Sequence, residues 1–181
     1  MVRMLMVLAV SAMCSAAMAQ QTETPEAVPS PEPPMTIQRL AEIILNIDED
    51  AQLRGSAIEF TVQDIPVIVV ADPRADRMRA MVPIRSAEGL KAEELMRLMQ
   101  ANFDTALDAR YAVAQGRLWG VFIHPLSPLG QDQFLSALAQ TVNVARTYGQ
   151  TYSGGAQVFG GGDSNGIFQE LLDELRKGQA L

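Results

Sequence analysis

Apolar positions recur at two periods along this chain, and each change of period marks a new element. Ile37, Leu40, Ile43, Ile44 and Ile47 fall on one face of a 3.6-residue repeat, with Thr36 placed to cap it. This spacing predicts a first helix over 36–47. Asp48-Glu49-Asp50 follows as an exposed acidic loop. Ile58, Phe60 and Val62 then alternate with Glu59 and Thr61, the period of a half-buried strand over 56–62. A turn at Gln63–Pro66 leads into Val67–Ala71, a nearly continuous β-branched run that predicts a more deeply buried strand. After the Asp72-Pro73-Arg74 turn the alternation resumes. Met78, Ala80, Val82 and Ile84 point inward, and Arg77, Arg79, Met81, Pro83 and Arg85 point outward. Pro83 argues for a sheet edge or a strand end, because it has no N–H to donate.

A second helix is predicted over 90–102, with Leu95, Leu98 and Met99 on its buried side. Arg110–Ala114 and Leu118–His124 read as a hairpin across Gln115-Gly116. A third helix follows over 131–148, with Phe134, Leu135, Leu138, Val142 and Ala145 at helical spacing. The order is α-β-β-β-α-β-β-α with short connections, so the expected fold class is α+β, an antiparallel sheet packed against helices. The domain spans 36–150, enough chain for an independent core.

Both flanks have a different composition. Residues 20–35 are proline-rich and acidic and have no apolar period, which reads as a flexible linker. Residues 151–166 form a glycine-rich linker. Beyond it, Ile167, Phe168, Leu171, Leu172 and Leu175 line one side of a short amphipathic helix over 167–177, with Glu170, Asp173 and Glu174 opposite. So short a helix is marginal alone. Its apolar face is expected to dock on its own domain, on a dimer mate, or in a partner's groove.

The first 19 residues carry an address. Arg3 supplies a positive start, Met4–Ala12 a short apolar run, and Ala17-Met18-Ala19 the small residues of a cleavage site. This reads as a secretory signal peptide cut after Ala19, with a periplasmic or secreted product. The apolar run is too short to span a membrane. Cleavage removes Arg3, leaving 13 basic against 21 acidic side chains, so the formal charge moves from −7 to −8. It also removes Cys14, the one cysteine, and with it thiol catalysis, disulfides and thiolate metal sites. A chain this acidic is not expected to bind nucleic acid.

Little else on the chain suggests chemistry. His124 is the single imidazole, and no GxSxG or HExxH motif accompanies it. Asp48 and Asp50 begin like a calcium loop, but Gln52 and Leu53 break the pattern. Gly160-Gly161-Gly162-Asp163 has neither a strand before it nor a lysine after it, so it reads as a linker and not a phosphate cradle. The expectation is no catalytic set, no metal and no cofactor. Arg77, Arg79 and Arg85 form the one basic stripe. It either blunts an exposed strand or seats an acidic peptide, the protein's own acidic tether included. Met81 and Met96 suit an adaptable binding surface. The candidate partner-binding residues are therefore Arg77, Arg79, Met81 and Arg85, together with Ile167, Phe168, Leu171, Leu172 and Leu175.

One stretch is similar to a known group. Leu98-Met99-Gln100-Ala101-Asn102-Phe103, then Arg110-Tyr111-Ala112-Val113-Ala114, Gly116-Arg117-Leu118-Trp119 and Pro125-Leu126 before the third helix resemble the type III secretion chaperone-like fold, the CesT- and YbjN-like group. The resemblance covers about Thr36–Gly149. It implies a small non-catalytic homodimer that binds protein segments, associating through the second helix or a strand edge. The signal peptide departs from that group, whose chaperones act in the cytosol. The expected function is an exported, non-catalytic protein-binding or chaperone-like module of the cell envelope with an unidentified protein or peptide partner. The alternatives are a small envelope enzyme or ligand-binding protein using His124, and a structural adaptor acting through its tails.

Overall fold

A computed structural model describes residues 32–104, 107–149 and 165–177, which belong to one unit beginning at Glu32. The expected signal peptide, residues 20–31 of the first linker and nearly all of the glycine-rich linker lie outside the described residues. The element order is α1 (Ile37–Leu45), β1 (Gln52–Arg54), β2 (Ala57–Val62), β3 (Ile65–Asp72), β4 (Arg77–Ser86), α2 (Ala92–Asp104), β5 (Arg110–Ala114), β6 (Arg117–Pro125), α3 (Gln131–Arg146) and α4 (Asn165–Lys177). The strands form one six-stranded antiparallel sheet in the order β1-β2-β3-β4-β6-β5. The fold is α+β, and its element order follows the expected one except for the extra strand β1. All three residues of β1 are exposed, so it carries no alternation to betray it.

The helices share one face of the sheet. Ile58, Phe60 and Val62 of β2, Val67, Val69 and Ala71 of β3, Met78, Ala80 and Val82 of β4 and Phe122 of β6 pack with apolar side chains of α1, α3 and α4. Leu98 and Ala101 of α2 close a second cluster over Tyr111 and Leu118. α3 lies between the sheet and α4, which is why Ala137, Ala139, Gln140 and Thr141 are buried along with its apolar stripe. Gly120 of β6 lets α3 approach closely, since a Cβ there would stand 3.1 Å from the Thr141 carbonyl oxygen.

Several local expectations change. The β2–β3 turn is the two-residue pair Gln63-Asp64, both at positive φ (48° and 64°), and β3 begins at Ile65. That sign at both positions matches the right-handed strand twist; Gln115 and Gly116 repeat it between β5 and β6. Pro83 lies in β4, a central strand, and not at an edge. The β3–β4 ladder ends at Ile68↔Met81, so Pro66 and Pro83 both fall past its end, where a missing N–H costs no bond. Val67–Ala71 is not buried on both faces. Val67, Val69 and Ala71 are covered, while Ile68 and Val70 are only half-buried. On α2, only Leu98 of the three expected residues is buried; Leu95 is 36% and Met99 50% exposed.

Three carboxylates tie loops to this frame. Asp48 accepts from Thr61 N at 2.7 Å, Thr61 Oγ1 at 2.9 Å and Asp50 N at 3.0 Å, so the acidic loop is anchored to β2. Asp76 accepts from Ser127 N at 2.7 Å and Ser127 Oγ at 3.0 Å, pinning the β3–β4 turn to the loop after β6. Glu32 accepts from Gln131 N at 3.0 Å and Arg39 Nη2 at 2.6 Å. It caps α3, whose own N-cap residue is Gly130 and has no side chain to do so. Met35 is buried and donates to Ser127 O at 3.1 Å, so positions 32–35 belong to the domain and not to the spacer. All three carboxyls are held below the ordinary range. The first cause is the backbone N–H of Thr61 for Asp48, of Ser127 for Asp76 and of Gln131 for Glu32.

Candidate functional site

Strand alternation puts a second row of apolar side chains on the face that the helices leave open. Cross-strand pairing aligns Ile68, Met81 and Val121 in one row and Val70, Arg79 and Ile123 in the next. Trp119 continues the surface opposite Pro83. Most of these residues are half-buried, and Ile123 is 56% exposed. No described helix lies across them. Val70, Asp72, Arg77, Arg79, Met81 and Ile123 line a groove of about 420 Å³ on this face.

Cations surround the apolar rows. By register and alternation Arg54, Arg77, Arg79, Arg110 and Arg117 share the face with two carboxylates, Glu59 and Asp72. Arg54 is paired with Glu59 at 3.3 Å. Asp72 accepts from Arg74 N at 2.9 Å and Ala75 N at 3.2 Å, which commits its Oδ1 to its own turn. The Arg77 guanidinium bonds the Asp76 carbonyl at 2.9 Å, and Arg110 bonds the carbonyls of Leu107 and Ala109. Arg117 lies 5.9 Å from the Trp119 ring centre, within cation–π range. Among the described residues Arg77, Arg79, Arg110 and Arg117 form no ion pair with a carboxylate.

The expected stripe is therefore only partly assembled. Arg77, Arg79 and Met81 sit together on the open face. Arg85 does not join them, because β4 shifts register between Pro83 and Arg85. That bulge turns Arg85 toward α2 and the C-terminal end of α3. There it approaches Glu94 at 4.0 Å and the Tyr148 hydroxyl at 3.4 Å, while Tyr148 donates to Glu94. Phe168, Leu171, Leu172 and Leu175 of α4 are buried, and Ile167 is partly buried, in the cluster that includes α3. In this docked state Phe168, Leu171, Leu172 and Leu175 are core side chains, and Ile167 lies at the cluster's edge. Gln63 donates to Glu174 and accepts from Arg146, and Arg176 approaches Asp132 at 3.6 Å, so polar contacts also hold α4 in place.

His124 is held by its neighbours. Its Nδ1 lies 2.7 Å from the Pro125 carbonyl oxygen and its Nε2 lies 3.1 Å from Gln133 Nε2. The neutral Nδ1–H tautomer satisfies both, donating to the carbonyl and accepting from the amide. Its ring stacks on Phe122. Among the described residues neither nitrogen bonds a hydroxyl or carboxylate that a base would activate.

A second exposed surface runs along α2. Met96 (70% exposed), Met99 (50%) and Phe103 (85%) follow one another at spacings of three and four. They form a stripe on the side away from Leu98 and Ala101. Asn102 stitches α2 to the sheet, donating from Nδ2 to Tyr111 O at 3.0 Å and accepting from Tyr111 N at 2.7 Å. These two bonds satisfy an edge-strand residue that would otherwise be open to another chain.

Sequence reasoning missed Val70, Trp119, Val121 and Ile123 as surface residues. The signal was present. Two strands that are apolar on both faces, in a sheet with too few helices to cover both, must leave one apolar face uncovered. No family model and no curated protein matches the sequence.

Proposed function

We propose that this chain is an exported, non-catalytic protein-binding module, chaperone-like in kind, that engages polypeptide through the open face of its sheet. One observation carries the reading: among the described residues no helix covers the apolar surface that spans β3, β4 and β6, while the opposite face is packed. Contiguous apolar surface of this kind marks interaction sites. The engaged ring nitrogens of His124 favour binding over turnover. The sequence of residues 1–19 supports export, and the helix–strand order with Asn102-Phe103 closing α2 supports the chaperone-like resemblance.

Photocrosslinking from position 123 in exporting cells tests this. Adducts with other polypeptides at 123, absent from a crosslinker at the exposed position Glu42 of α1, are the expected result. Equal labelling at both positions, or none at 123, refutes it.

The Met96–Met99–Phe103 stripe supports a second element of the reading, a homodimer formed through α2. Light scattering over a concentration series is expected to show a dimer that Phe103→Glu dissociates. A monomer at tens of micromolar rules it out.

A further inference from the structure

We infer that the open face selects an acidic, extended peptide: two carboxylates at alternate positions seat on Arg77 and Arg79, and an apolar side chain beside them enters the groove against Met81 and Ile123. This rests on the protein-binding reading above and names the partner's chemistry. Charge carries the choice. The whole chain is −7, yet the described residues of this face include five arginines against two carboxylates. Arg54 and Glu59 offset each other; Asp72 stands opposite Arg77 in the same groove but commits its Oδ1 to its own turn, and among the described residues neither Arg77 nor Arg79 forms an ion pair with a carboxylate. Both side chains are exposed, and both line the groove with Val70 and Ile123.

Spacing adds to this. Arg77 and Arg79 leave the same face of one strand two residues apart, about 6.7 Å along it. Alternate side chains of an extended ligand repeat at the same interval, so two acidic residues at i and i+2 meet both guanidiniums without bending either chain. Continuing the repeat by one step places an apolar i+4 residue over Met81. Methionine adapts its shape to varied side chains. A second copy of this face is a poor occupant, since stacking would set guanidinium against guanidinium.

The test uses the full chain and three labelled peptides of one length. The first carries glutamates at two alternate positions followed by leucine; the others replace both glutamates by glutamine or by lysine. Anisotropy of the label reports binding. Emission of Trp119, the one tryptophan, reports its place, because Trp119 shares the face two register pairs beyond Met81↔Val121. Expected is binding of the glutamate peptide with a Trp119 response, at least about tenfold tighter than the glutamine peptide. Arg77→Glu/Arg79→Glu, and the milder Arg79→Gln, are expected to lose that advantage with melting temperature unchanged. Raising salt should erode it too, because exposed ion pairs are screened. Equal binding of the glutamate and glutamine peptides, or preference for lysine, overturns the acidic selectivity and leaves the protein-binding reading standing. Failure of all three to bind or to move Trp119 overturns the inference. The position-123 crosslinks then decide separately whether the protein-binding reading survives.

Discussion

The two faces of the sheet draw on the same residue types and meet different fates. On one, Ile58, Phe60, Val67, Val69, Met78, Val82 and Phe122 are buried under α1, α3 and α4. On the other, Ile68, Val70, Met81, Trp119 and Val121 stay half-buried and Ile123 is exposed. Hydropathy does not separate them; helix placement does. The covered face is made for stability, with small residues such as Gly120 and Ala80 where a helix must come near. The open face spends apolar side chains on a surface and surrounds them with arginine. Folding stability should therefore reside on one face, and response to partners on the other.

The largest expected effect tests that division directly. Phe134→Ala empties a fully buried site of α3 and should cost about 3–5 kcal/mol, whereas Ile123→Ser on the open face should stay within about 0.5 kcal/mol. Chemical denaturation of both variants measures the contrast, and equal losses would mean that the open face is covered in solution. Next comes α4. Leu171→Ala is expected to lose about 2–4 kcal/mol, because Leu171 is buried in the main cluster. A variant as stable as the parent would show that α4 leaves the domain.

Gly120→Ala probes how tightly α3 lies on the sheet. The added methyl meets the Thr141 carbonyl oxygen at 3.1 Å and Val144 Cγ1 at 3.4 Å. Backbone yields less readily than a side-chain tip, so a loss of about 1–2 kcal/mol is expected by thermal melting. No loss would mean that α3 shifts freely.

The smallest effect concerns acid. Asp48, Asp76 and Glu32 are lowered from ordinary values of 3.8, 3.8 and 4.5, each first by a backbone N–H bond. A depressed carboxylate binds fewer protons in the folded state than in the unfolded one. Its contribution is therefore fully present above the ordinary value and is lost as pH falls through the lowered one. Stability should be flat with respect to these three groups from neutral pH to about 5 and fall below about 4. Asp48→Ala, which removes three accepted hydrogen bonds, should cost about 1 kcal/mol at pH 7 and make the acid limb shallower. An acid limb unchanged in the variant would remove Asp48 from the account.

By itself the sequence determined the elements whose apolar residues repeat at one period. Ile37–Ile47, Ile58–Val62 and Phe134–Val142 each have one apolar face, and burying that face leaves one conformation for the backbone. It also determined the Gln115-Gly116 hairpin, since turn chemistry is local. The tertiary structure alone decided which face of a two-sided strand is covered. Val67–Ala71 is apolar at every position, and only the placement of the helices makes Val69 core and Val70 surface. It likewise decided that Arg85 leaves the arginine stripe, because a bulge reverses alternation without changing residue type. Met99 passed for core by its spacing and became surface because α2 rests on the sheet through the narrow strip of Leu98 and Ala101. The candidate site lay in the same gap: its residues were visible one by one, but their meeting depends on register between β3, β4 and β6, a pairing of segments distant in sequence that no local pattern encodes.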